Sequence, residues 1–333
     1  MPEGFTLTLV AVLVLAIAFD YINGFHDTAN AIATSVSTRA LKPAWAIAMS
    51  AVANFSGALI GTEVAKTVGS GLIDTNIESQ TVIAAALVGA ITWNLLTWRL
   101  GIPSSSSHAL IGGLLGAVLI SAGIGAWQMD GVLGKVLVPL VASPLIGFTV
   151  GLLLMALIFN VFRRAHPGRL NAGFRRLQVV SAGYMAFSHG SNDAQKTMGI
   201  MTLALVTAGV QTTFDPPLWV ILTAASALSL GTAAGGWRII HTMGTKVVKL
   251  DPVHGFAAET TAATVIFGAS HFGMPVSTTH VISSAIMGVG SADRFKTVRW
   301  SVARSIATAW VLTLPASGLT AAVAYLILNP FLG

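Results

Sequence analysis

The chain has no cysteine, and only 9% of its 333 residues are Asp, Glu, Lys or Arg. The first absence excludes disulfides and thiolate metal sites. The second excludes an ordinary soluble domain, in which about a quarter of residues are charged. No polar stretch is long enough to hold such a domain. Alternating ten-residue segments of the kind that build outer-membrane barrels are missing too. Residues 1–4 lack a basic region followed by a cleavage site, so no cleaved signal peptide is expected.

What fills the chain is apolar: 54% of residues are hydrophobic and the mean hydropathy is +0.78. Helices and closed barrels alone can span a bilayer. Long continuous apolar runs choose helices, which predicts an all-α polytopic membrane protein. The net charge of +6 and the pI near 10 do not point to nucleic acid. The basic residues sit in short loops, the largest group being Arg163, Arg164, Arg169, Arg175 and Arg176. That is the signature of a cytoplasmic loop.

Apolar runs lie near 5–38, 43–65, 79–99, 104–122, 132–160, 175–209, 217–240, 255–272, 276–290 and 300–328. The first and the sixth carry polar centres and are expected to be interrupted. Arg39 and Lys42 place the end of the first run in the cytoplasm, whereas Asp74 and Glu78 follow the second with no basic residue. The same count puts 238–249 and 293–304 in the cytoplasm and both termini outside.

A basic linker over 162–174 separates a first unit, 1–161, from a second, 175–333, and the two share motifs in the same order. Asn23-Gly24-Phe25-His26-Asp27-Thr28-Ala29-Asn30 is matched by His189-Gly190-Ser191-Asn192-Asp193-Ala194-Gln195-Lys196, with Asp27 on Asp193. Gly61 to Lys66 is matched by Gly244 to Lys249, and Pro103-Ser-Ser-Ser-Ser-His108 by Pro275-Val-Ser-Thr-Thr-His280. Three ordered matches indicate duplication. Because the units start on opposite sides, the repeats are inverted, the arrangement that builds midplane sites in secondary transporters.

An ionisable residue at membrane depth costs at least about 2.5–3.5 kcal/mol on insertion scales, so such residues usually line a site or a pathway. Proline opens a helix, and Ser or Thr beside it caps free N–H groups. Helix N-termini bind anions, so Ser104, Ser105 and Ser106, with Ser277, Thr278 and Thr279, form two hydroxyl-rich candidate anion cradles. Carboxylates repel anions. Asp27 and Asp193, with Asn30, are therefore candidates for a coupling cation or proton, and Asn192 and Lys196 are candidate partners of the anion. Blander readings compete: serines that bond one turn back, or an ion pair of Asp27 or Asp193 with Arg99 or Lys196. His26 and His189 can move protons, and His108 and His280 read equally as ligands or as supporting residues. Glu259 and Glu63 are coupling or interfacial acids, Glu259 reading also as a supporting residue. No metal ligand set is assigned with certainty.

Gly24-Phe-His-Asp-Thr-Ala-Asn-Ala31, Ser188-His-Gly-Ser-Asn-Asp-Ala-Gln-Lys-Thr-Met-Gly199 and the two Pro-x-Ser runs resemble the inorganic phosphate transporter (Pit/PiT) family, from Phe19 to Gly288. The resemblance implies symport of inorganic phosphate with Na⁺ or H⁺ across the cytoplasmic membrane, without a cofactor, and a homodimer is compatible with it. It also implies that the Pro-x-Ser stretches are hairpin tips meeting at the midplane, although loop charge alone would leave Arg99 and its tip at the cytoplasmic face. His26 and Lys196 stand where many sodium-coupled members have Asn, which leans toward H⁺ and toward phosphate carried as a metal complex. A sulfate permease is the near alternative. An anion channel is opposed by the paired acids, and an intramembrane hydrolase by the lack of a Gly-x-Ser-x-Gly elbow.

Overall fold

A computed structural model describes residues 6–74 and 79–332. Residues 1–4 and Glu78, used above, lie outside this range. Among the described residues the chain is helical, with an isolated β-bridge between Ile73 and Trp127.

The first half runs through α1 (Leu7–Ser37), α2 (Pro43–Ala58), α3 (Glu63–Ser70), α4 (Gln80–Leu100) and α5 (Ser106–Ala122). A short α6 (Met129–Gly131) then leads through a wide helical turn into α7 (Val138–Val161). The second half repeats the order: α8 (Pro167–Thr207), α9 (Leu218–Ala234), α10 (Trp237–His241), α11 (Pro252–His271), α12 (Thr278–Asp293) and α13 (Trp300–Leu332). Among the described residues, four helical stretches are long and apolar enough to cross a membrane: Leu7–Ser37, Gln80–Leu100, Met129–Val161 and Trp300–Phe331. The pairs α2/α3, bent by 72°, and α9/α10, bent by 63°, raise the number to six if each is one broken span.

Two expectations are corrected. The runs with polar centres are not interrupted, because α1 and α8 are continuous through Asp27 and Asp193. Neither centre contains proline, and the polar side chains find partners on other helices, so the main-chain ladder is left intact. The breaks fall in α2/α3 and α9/α10 instead. The linker expected over 162–174 is also shorter: a turn covers 162–166, and Pro167 opens α8 in the first-turn position that proline favours.

The halves exchange partners. α1 packs along α9 while α8 packs along α2, and α7 packs along α12 while α13 packs along α5. Glycine makes the first exchange feasible. A Cβ on Gly24 would stand 2.2 Å from the Leu228 carbonyl oxygen, and one on Gly190 would stand 2.1 Å from that of Asn54. Only a residue without Cβ allows this approach. The two Asp-bearing segments are thereby pressed into the middle of the molecule, between the bent pairs and the Pro-x-Ser tips.

Candidate functional site

Each tip is built by the same local hydrogen bonds. Gly101 (φ 67°) and Gly273 (φ 65°) end the preceding helices in the left-handed conformation, the usual device for stopping a helix. The Ile102 and Met274 amides then donate back to the Thr97 and Ala269 carbonyls, both at 2.9 Å. Ser105 Oγ accepts from the His108 amide at 3.1 Å, and Ser277 Oγ accepts from the His280 amide at 3.2 Å. These two hydroxyls are therefore N-caps. The first-turn amides of Ser106 and Ser107, and of Thr278 and Thr279, have no carbonyl one turn back to receive them.

The tips meet inside the protein. Ser104–His108 and Ser277–His280 are all buried, and Ser107 Oγ donates to the Val276 carbonyl at 3.3 Å. The rings of His108 and His280 lie 4.7 Å apart, and His280 stacks on Trp310 at 4.1 Å. These two histidines back the tips by packing. Arg99 stays exposed and its carbonyl accepts from Arg238 at 2.5 Å, whereas the serines after it are buried.

On α1, His26 Nδ1 lies 2.6 Å from Asp27 Oδ1, and His26 Nε2 lies 3.1 Å from Thr97 Oγ1. Ser104 Oγ donates to that same Thr97 hydroxyl at 2.8 Å. One turn along, Asn30 Nδ2 donates to Thr279 at 2.9 Å and to Thr278 at 3.3 Å. The first half's aspartate stretch thus holds its own tip through Thr97 and the other half's tip through Asn30.

On α8, His189 Nε2 lies 3.1 Å from Asp193 Oδ2, and His189 Nδ1 lies 3.0 Å from Asn54 Oδ1. Thr278 donates to Asp193 Oδ2 at 3.3 Å. Lys196 donates to Asp193 Oδ1, to Ser107 Oγ at 2.5 Å and to the Val276 carbonyl at 3.0 Å. The ion pair with Lys196 is therefore present, whereas Asp27 pairs with His26 and not with Arg99. Asn192 Nδ2 donates to Ser270 Oγ at 2.8 Å and to the Met274 carbonyl at 3.1 Å.

Asp27, His189 and Asp193 together offer three ligand atoms within 4.8 Å of one another, all buried. Two carboxylates and an imidazole suit a divalent cation such as Mg²⁺ or Mn²⁺ at the oxygen-rich end of the ligand scale. Among the described residues the buried hydroxyl of Ser106 has no hydrogen-bond partner.

Glu259 lies in a second polar cluster. It accepts from Thr34 Oγ1 and Ser181 Oγ, each at 2.5 Å, and from Gln178 Nε2 at 3.0 Å. Thr38 donates in turn to Gln178 Oε1 at 2.7 Å. Glu63, the other acid considered above, is exposed and accepts from the Thr62 amide at 2.9 Å.

Several members of these clusters are not singled out by the sequence: Asn54, Thr97, Gln178, Ser181 and Ser270. Each is one polar residue in an apolar run, which by itself is common. Asp20 is also buried, two turns before Asp27 on α1. The signal that could have drawn attention to Asn54 and Thr97 is their place in the last turns of the helices that lead into the Gly61–Lys66 and Pro103–His108 motifs.

With the geometry in place, comparison with known proteins is direct. The model of the phosphate transporter family matches residues 23–173 and again 162–321, once for each half. A "Probable low-affinity inorganic phosphate transporter" of Bacillus subtilis is 50% identical over 323 residues, which is 96% of this chain and 97% of that protein. One of Rhizobium meliloti with the same description is 50% identical over 319 residues, 95% of each. A solved structure titled "The sodium-dependent phosphate transporter" superposes with a TM-score of 0.86, covering 98% of this chain and 100% of its own, at 24% identity. That likeness establishes the fold. These relatives are transporters, not enzymes, and the matches account for the paired motifs and the helical membrane architecture alike. The chain belongs to the phosphate transporter family.

Proposed function

We propose that the protein imports inorganic phosphate across the cell membrane by cation-coupled symport with alternating access. The observation that carries this reading is the meeting of the two tips beside two aspartates. The N-terminal ends of α5 and α12 supply amides and hydroxyls suited to an oxyanion. Asp27 and Asp193 supply the negative charge that draws a cation beside it. Phosphate sits between Ser104–Ser106 and Ser277–Thr279, with Asn192 at the margin, and Asp27, Asn30 and Asp193 hold the coupling cation.

The coupling ion is H⁺ in preference to Na⁺. The Asp27–His189–Asp193 triad supports entry of phosphate as a divalent-metal complex, because the metal neutralises the anion where carboxylates would otherwise repel it. The names of the relatives support phosphate over sulfate. Protonation supports it as well, since phosphate keeps a proton near neutral pH and can donate to a carboxylate whereas sulfate cannot. The exchanged packing of the halves supports alternating access by inverted repeats, one rocking against the other, with both termini outside. The units 1–161 and 175–333 are then the moving bodies, and a homodimer is compatible with this motion.

The test is uptake of labelled phosphate into proteoliposomes with Mg²⁺ present, with and without excess sulfate. Uptake that sulfate leaves unchanged is expected. Absence of phosphate uptake under every gradient, or uptake of sulfate in its place, would overturn the reading.

A further inference from the structure

Lys196 is the residue whose environment departs most from its assumed role. An ammonium has three N–H donors and no acceptor. In Lys196 these meet Asp193 Oδ1, Ser107 Oγ at 2.5 Å and the Val276 carbonyl at 3.0 Å. No N–H is left to point at an anion. The acceptors are one carboxylate, one hydroxyl and one main-chain carbonyl. Oxygen sets of this kind are what small hard cations take. The carbonyl comes from the extended tip before α12, outside any helix, which is where unwound segments of transporters offer carbonyls to Na⁺.

We propose that the Lys196 ammonium is a tethered cation filling the second of two symmetry-related cation positions, so that this chain binds one free monovalent cation fewer in each transport cycle. The inference rests on the cation-coupled reading above. The two-fold relation between the halves supplies the independent support. Lys196 matches Asn30 in the repeat, and Ser107 matches Thr279. Asn30 donates across to Thr279 just as Lys196 donates across to Ser107. That contact is equivalent in the two halves, while Lys196 alone adds the carboxylate three positions back and a tip carbonyl, and alone carries charge. The first half therefore holds Asp27 on His26 with no tethered ammonium across it, while the second half occupies Oδ1 of Asp193 with a charge that cannot leave. A salt bridge kept for stability alone has no need of this place, since buried ion pairs are often matched in stability by apolar packing. This one instead joins α8 to both tips at the point where the halves meet.

The test is Lys196→Asn, which restores the residue of the first half, measured in proteoliposomes beside the wild type. Wild-type phosphate uptake should be nearly indifferent to replacing choline with Na⁺. The variant should be slow in choline and faster in Na⁺ by at least about tenfold, the effect of one ligand-sized increment of affinity. Binding of radiolabelled Na⁺, absent from the wild type at this position, should appear in the variant. Lys196→Ala is the second variant, and Na⁺ should rescue it in the same way. Folded variants that neither bind Na⁺ nor respond to it would overturn the inference. So would aggregation of both variants even in high Na⁺, because a cage suited to a free cation is stable when one is supplied. Failure of the phosphate reading looks different: the wild type itself would take up no phosphate, while Na⁺ binding by Lys196→Asn would still report on the cage.

Discussion

The aspartate stretches of α1 and α8 are copies of one motif that place different partners around their aspartates. Asp27 lies beside His26 and Asn30, and Asp193 lies beside His189 and Lys196. Both reach across to the other half's tip through the residue three positions on. Duplication set the geometry twice, and substitution then made one copy self-compensated. In the proposed cycle Asp27 exchanges the coupling cation, while Asp193 keeps Oδ1 on Lys196 and has only Oδ2 to offer it. A symmetric fold can in this way carry an unsymmetric cycle.

The largest effect that would break this comparison concerns the two carboxylates. Asp193→Asn strands a buried ammonium and should cost about 3–5 kcal/mol of stability. Asp27→Asn removes a group that faces a histidine and should lower stability by only about 1 kcal/mol, while abolishing uptake. Thermal melts of the purified variants check this, and equal losses of stability would remove the asymmetry.

The exchanged crossings come next. Gly24→Ala and Gly190→Ala each drive a methyl group into a main-chain carbonyl and should each destabilise by about 1–3 kcal/mol. The two shifts in Tm should be similar. One silent variant would mean that the crossings are not equivalent.

Smaller effects sharpen the tips. Asn30→Ala loses the donors to Thr278 and Thr279 and should raise the KM for phosphate by about tenfold, a little over 1 kcal/mol. Ser104→Ala loses a single hydrogen bond to Thr97 and should raise KM by about two- to fivefold. The reverse order would place the anion nearer the first tip than the second.

Much of this was legible in the sequence. Apolar runs located the helices to within a few residues, because hydropathy over a span reflects lipid contact directly. The tips could be read because Gly, Pro and Ser each have a local conformational reason to be there. Gly101, Gly273, Ser105 and Ser277 do in the fold what such residues do in isolation. The continuity of α1 and α8 was not legible. Polar residues at membrane depth suggested broken helices, but their partners lie far along the chain: Thr278 and Thr279 for Asn30, and Ser107 for Lys196. A pattern read along one segment cannot supply those pairings. For the same reason Gln178 and Ser181 went unnoticed until α8 brought them to Glu259. The sequence marked Lys196 as a positive charge in the right place. Its three oxygen acceptors, drawn from two tips and one helix, became visible only in three dimensions.

The central claim is that phosphate uptake is driven through a site whose second half carries its own cation. Phosphate accumulation in wild-type proteoliposomes, with a pH gradient and a Na⁺ gradient imposed separately, tests it most directly. The account predicts accumulation under the inward H⁺ gradient and little response to the Na⁺ gradient. Accumulation under the Na⁺ gradient alone would contradict it.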